Sequence, residues 1–124
     1  MNDLSLPLLP AGVKKCRLSD MNRGWFVGDF VPSAHPTQGV EVAVQHFPAG
    51  YHAAPHAHRI ATEVTLLLSG RAEMAGLSLE SGDILTLSPG TISDFHALEA
   101  CVTVVVKHPG VLNDKYLHTE GDVC

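Results

Sequence analysis

The chain has 124 residues, a charged fraction of 17% and a formal charge of -5, and it is long enough to bury one hydrophobic core without disulfide or metal staples. The acidic balance, with no basic cluster beyond Lys14, Lys15 and Arg17, argues against nucleic acid and anionic membrane as partners, and no apolar run reaches the ~20 residues needed to cross a bilayer. Cys16, Cys101 and Cys124 are far apart and form no CxxC pair, so free thiols are expected. Residues 1–10 lack the basic and apolar regions of a secretory signal, which predicts a cytoplasmic location.

Residues 1–38 are rich in Pro, Gly, Ser and Asn and read as an irregular arm carrying one or two short strands, with Trp25, Phe26 and Val27 its clear apolar run. The arm is expected to pack on a barrel formed by residues 39–124. From Val40 on, short apolar runs alternate with turn signals roughly every ten residues, the pattern of an all-β sandwich or barrel. Val40, Val42 and Val44 alternate with Glu41, Ala43 and Gln45, which predicts a strand with the valines buried and His46 continuing that inward parity. Phe47-Pro48-Ala49-Gly50 ends it, and a second strand should carry His56 and His58.

A strand over 63–69 follows, closed by Gly70. If Glu63 and Thr65 point inward, Val64, Leu66 and Leu68 form an outer apolar stripe that a homodimer would cover. Further strands are predicted over 71–74, 77–79, 84–87 and 101–107, joined by turns at Ala75-Gly76, Ser81-Gly82-Asp83 and Ser88-Pro89-Gly90. The segment Asp114-Lys115-Tyr116 reads as packing that closes the barrel or a dimer edge.

Histidine is the outlier: eight are present, and His46, His52, His56 and His58 fall close together. Residues two apart on a strand project from one face, so His56 and His58 present adjacent imidazoles. Glu63 follows after a turn's length, and a neighbouring antiparallel strand would bring its carboxylate to both. Two imidazoles and a carboxylate with open positions suit one divalent transition metal ion (Fe, Mn, Ni, Zn or Cu), and spacing does not choose among them.

Gly50, His56, His58, Glu63 and Gly70 together match the first cupin motif, G(X)5HXH(X)3,4E(X)6G. The second motif, G(X)5PXG(X)2H(X)3N, is similar to Gly82 onward. Gly82 and Gly90 hold their places, but Ser88 replaces the proline, Ser93 the fourth metal-binding histidine and Ala97 the asparagine. The chain thus resembles a small single-domain bacterial cupin. The resemblance implies a double-stranded β-helix, or jelly-roll, barrel with metal ligands His56, His58 and Glu63. His96, three residues after Ser93, is a candidate fourth ligand only if a bulge re-aims it, because a regular strand turns it outward.

The resemblance also implies a small polar molecule as partner: a sugar, a sugar acid or another oxygenated acid. Two functions follow, a metal-dependent enzyme or a non-catalytic module that binds or senses such a ligand. No general base can be placed beside the metal from sequence, and Ser93 has no partners that would make it a nucleophile.

Overall fold

The structure, a computed structural model, describes residues 9–117. Ten strands and one short 3-10 turn, Leu18–Asp20, make up its regular structure. The strands are β1 (Trp25–Val27), β2 (Glu41–Phe47), β3 (His52–His58), β4 (Thr62–Ser69), β5 (Arg71–Met74), β6 (Leu77–Glu80), β7 (Ile84–Leu87), β8 (Ser93–Ala97), β9 (Cys101–His108) and β10 (Lys115–Leu117). They form two antiparallel five-stranded sheets, ordered β1-β2-β9-β4-β7 and β10-β3-β8-β5-β6. The expected all-β double-stranded β-helix is present, and no helix among the described residues is long and apolar enough to cross a membrane.

Local sequence explains the connections. β5 and β6 are joined by Ala75 and Gly76, both at positive φ (52° and 77°), the two-residue turn whose twist matches that of flanking strands. Gly70 turns β4 into β5 at φ 94°, and a Cβ there would collide with the Ala100 carbonyl oxygen and crowd Cys101. β9, Cys-Val-Thr-Val-Val-Val-Lys-His, is dense in β-branched residues and lies between β2 and β4.

The interior has two halves. At one end Leu67, Ala72, Met74, Leu79, Leu87, Phe95, Ala97 and Cys101 pack into an apolar core. Toward the other, the register of β2, β9 and β4 stacks polar layers inward: Gln45 beside Thr103, Thr65 beside Val105, and Glu41, Lys107 and Glu63 in a single row. The expected parity of β2 is therefore reversed. Glu41 and Ala43 are buried, Val42 and Val44 are half-buried on the outer face, and His46 is exposed. The reason lies in tertiary context: Val42 and Val44 register against Val106 and Val104, which in turn register against Val64 and Leu66, so the valines build a shared apolar outer face.

β8 was not legible as a strand, because Ser-Asp-Phe-His-Ala carries few strand formers; its pairings with β3 and β5 define it. β1 pairs with β2, so residues before 39 contribute to the sheet. β10 pairs with β3 along Lys115, Tyr116 and Leu117. Cys16 is an exposed and Cys101 a buried free thiol, while Cys124 and His118 lie outside the described residues.

Candidate metal centre

His56 and His58 reach the interior through an irregularity in β3. His52 registers with His96 and Ala53 with Phe95, but His56 registers with Ser93, so one extra residue is accommodated around Ala54 and Pro55. Such a bulge shifts the alternation by one. His52 consequently stays on the outer face, whereas Ala53, His56 and His58 all line the interior cavity. Proline suits this position because a bulged residue need not donate to the ladder.

Glu63 reaches the same point from the other sheet. β3 and β4 are not hydrogen-bonded neighbours, as the spacing had suggested; residues 59–61 cross between the sheets, and the carboxylate faces the imidazoles across the interior. One potential ligand atom from each of His56, His58 and Glu63 lies within 4.8 Å of the others. Among the described residues no further His, Cys, Asp or Glu joins this group.

The crossing is held by Asp114. Its buried carboxylate accepts from the backbone N–H groups of Arg59 (3.1 Å), Ile60 (3.0 Å) and Ala61 (2.9 Å), and its own carbonyl oxygen lies 3.2 Å from Nδ1 of His58. Burial pushes the Asp114 carboxyl up, but the N–H groups outweigh it and hold its pKa below the ordinary value. The sequence read Asp114 only as part of a packing segment, since the backbone groups its carboxylate anchors lie some 54 positions away.

These contacts fix which nitrogen each imidazole presents. A carbonyl oxygen only accepts, so His58 donates from Nδ1 to Asp114 and His56 donates from Nδ1 to the carbonyl of Ala54 at 3.0 Å. Each neutral ring then offers its Nε2 lone pair. Nε2 of His58 sits 3.1 Å from Oε1 of Glu63, which sets a lone pair against a carboxylate oxygen unless a cation, a proton or a metal ion, lies between them. Two ligands about 2.1 Å from a common ion and at right angles are about 3 Å apart, so this spacing fits a metal. The donor set therefore suits a divalent transition ion.

The charges are consistent with that. Burial raises the Glu63 carboxyl, but the adjacent His58 ring and the hydrogen bond donated by the Thr65 hydroxyl (2.9 Å) outweigh it and keep the group below its ordinary pKa. Burial also lowers His56, against its bond to Ala54, favouring the neutral, ligating ring. Glu41 is raised by burial, with Lys107 opposing, and Lys107 is lowered by burial, with Glu63 and Glu41 opposing.

His96 is not brought to this group. It sits on the outer face opposite His52, with ring centroids 5.2 Å apart, and its Nδ1 is 3.5 Å from Oε1 of Glu73. The bulge exists, but in β3 rather than β8. Ser93 is buried directly across from His56. His46 faces outward, and His35 and His108 are exposed.

The centre opens into a cavity of about 450 Å³. Its walls include Phe47, Tyr51, Phe95, Trp25, Lys107 and Thr103. Trp25 was read from sequence only as part of the arm's apolar run, and Lys107 only as the end of a strand, because inward placement of a lysine at the end of a valine run has no local signature.

The chain resembles a double-stranded β-helix protein from Klebsiella pneumoniae, with 22% identity, 90% of this chain and 98% of that one covered, and a TM-score of 0.63. A cupin protein from Bacteroides fragilis matches at 25% identity over 71% of this chain and 80% of that one, with a TM-score of 0.52. The chain has the cupin fold. Oxalate decarboxylase from Bacillus subtilis shares the fold at 18% identity over 64% of this chain and 24% of that one, with a TM-score of 0.57. No family model matches this chain, and no curated protein does.

Proposed function

We propose that this cupin holds one divalent transition metal ion through Nε2 of His56, Nε2 of His58 and a carboxylate oxygen of Glu63, and that it binds or transforms a small oxygenated acid or sugar in the adjoining cavity. The observation that carries the reading is the convergence of three potential ligand atoms within 4.8 Å, with both imidazoles oriented from behind by backbone carbonyls. When bound, such an ion acts as a Lewis acid on a substrate oxygen. The chain's own contribution is to orient two neutral imidazoles, anchor the crossing through Asp114 and enclose the substrate between the sheets.

Ser93 in place of a fourth histidine leaves three protein ligands and an open coordination sphere, which suits both an enzyme and a binding module. A fold neighbour, oxalate decarboxylase, by its name acts on a small acid, in keeping with that substrate class. Elemental analysis of protein purified without chelator tests the metal. About one equivalent is expected in the wild type and none in a His56→Ala, His58→Ala double variant; equal content in both, even after reconstitution, contradicts the proposal.

The outer valine face supports a homodimer. Val42, Val44, Val64, Leu66, Val104 and Val106 are contiguous in register, and the exposed Leu68 and Ile84 extend the patch. Sedimentation at micromolar concentration should show a dimer, and a clean monomer would refute it.

A further inference from the structure

The outer face of the sheet β10-β3-β8-β5-β6 holds a pair of histidines that the interior centre does not use. His52 on β3 and His96 on β8 are register partners, and Glu73 on β5 is the register partner of His96 on its other side. The three side chains therefore form one row across the sheet. Partners in an antiparallel ladder alternate between hydrogen-bonded pairs and non-hydrogen-bonded pairs, and side chains stand closest in the second kind. The Ala97 N–H donates to the Tyr51 carbonyl, which makes that position a hydrogen-bonded one and places His52 and His96 at the closer kind next to it.

The ring geometry follows from this placement. The His52 and His96 centroids are 5.2 Å apart, against 5.3 Å for the interior pair His56 and His58. The outer imidazoles are thus set as closely as the two that converge inside. Nδ1 of His96 lies 3.5 Å from Oε1 of Glu73. A neutral ring that directs its N–H at this carboxylate keeps its lone pair on Nε2, and a carboxylate behind an imidazole is the arrangement that orients a metal-ligating histidine. His52 has no hydrogen-bond or ion-pair partner among the described residues, so either of its nitrogens is free to turn toward a shared ion.

We propose that His52 and His96 form a second metal site, a two-imidazole chelate on the outer face for a divalent transition ion such as Zn²⁺, with Glu73 holding His96 from behind. Imidazole suits such ions, and water fills the remaining positions. Two protein ligands and greater exposure make the site weaker than the interior centre. Its ion exchanges during purification, and the single retained equivalent stays with His56, His58 and Glu63. The outer site stands whether or not the interior one holds metal.

The untagged full chain carrying His56→Ala and His58→Ala, which lacks the interior ligands, is titrated with Zn²⁺ in competition with a colorimetric chelator. One equivalent at micromolar affinity is expected. Adding His52→Ala or His96→Ala should weaken it at least about tenfold, because each removes one arm of the chelate. Glu73→Gln should weaken it by a smaller factor, since it removes only the orienting group. His35→Ala and His108→Ala, at exposed histidines elsewhere, should change nothing. A second measurement needs no interior substitution. In wild type loaded with Zn²⁺ and then dialysed, substoichiometric Ni²⁺ should broaden the imidazole resonances of His52 and His96 before those of His35 and His108.

No Zn²⁺ binding below millimolar concentration, an affinity that His52→Ala, His96→Ala or Glu73→Gln leaves unchanged, or broadening that begins at His35 or His108 overturns the proposal. Failure of the interior reading looks different: wild type then retains no ion after dialysis, while the outer pair still responds to Ni²⁺.

Discussion

The two ends of the barrel are built by the same strands to opposite ends. β4 runs from Glu63 and Thr65, at the polar end, to Leu67, which is fully buried in the apolar core, and β9 runs from Cys101 in that core to Lys107. At the apolar end, shape and volume do the stabilising, and loss of a side chain leaves a cavity. At the polar end, Glu63 and Asp114 are held by specific partners, so the fold can support a pocket lined with charge. The comparison teaches that substitutions at the two ends should separate stability from metal binding.

The largest expected effect is at the apolar end. Leu67→Ala should cost about 3 to 4 kcal/mol in chemical denaturation, through lost burial and an incompletely collapsed cavity, with metal stoichiometry unchanged in the remaining folded protein. Asp114→Ala should cost about 2 to 3 kcal/mol, because it strands three backbone donors of the crossing turn, and it should also weaken metal affinity by loosening His58. If Asp114→Ala destabilises without touching metal affinity, the polar end is only a structural clamp.

Acid should act at the polar end as well. Glu63 and Asp114 are held below their ordinary values of 4.5 and 3.8, so the unfolded chain takes up protons first as pH falls. Their stabilisation is full above about pH 5 and is lost as pH drops through the folded values. Denaturation measured from neutral pH down to about pH 3 should show this decline in wild type and a shallower one in Asp114→Asn, while Leu67→Ala should keep the wild-type slope. The smallest effect is Thr103→Val, expected to be neutral or to stabilise by up to about 1 kcal/mol without ligand, since it removes an unpartnered buried hydroxyl. A clear destabilisation would show that Oγ1 has a partner.

Much of this was legible in the sequence where local chemistry decides. The turns at Ala75-Gly76 and Gly70, the strands over 71–74 and 84–87, and the grouping of His56, His58 and Glu63 follow from backbone preference and motif spacing. What escaped depends on partners remote in the chain. The β2 parity was reversed because valines facing a neighbouring strand's valines can form an outer surface as readily as a core. His52 and His56 fall on opposite faces only because of the β3 bulge, and Asp114 and Lys107 acquire meaning only once β9 and the segment after it lie beside β3 and β4.

The central claim is that the ion sits between the two sheets, on His56, His58 and Glu63, and not on the outer-face pair of His52 and His96. Anomalous diffraction from crystals grown with Mn²⁺ or Zn²⁺ tests it most directly. The account predicts one strong peak about 2.1 Å from Nε2 of both His56 and His58 and from a Glu63 oxygen. A peak confined to His52, His96 and Glu73, or none inside the barrel at full metal loading, would contradict it.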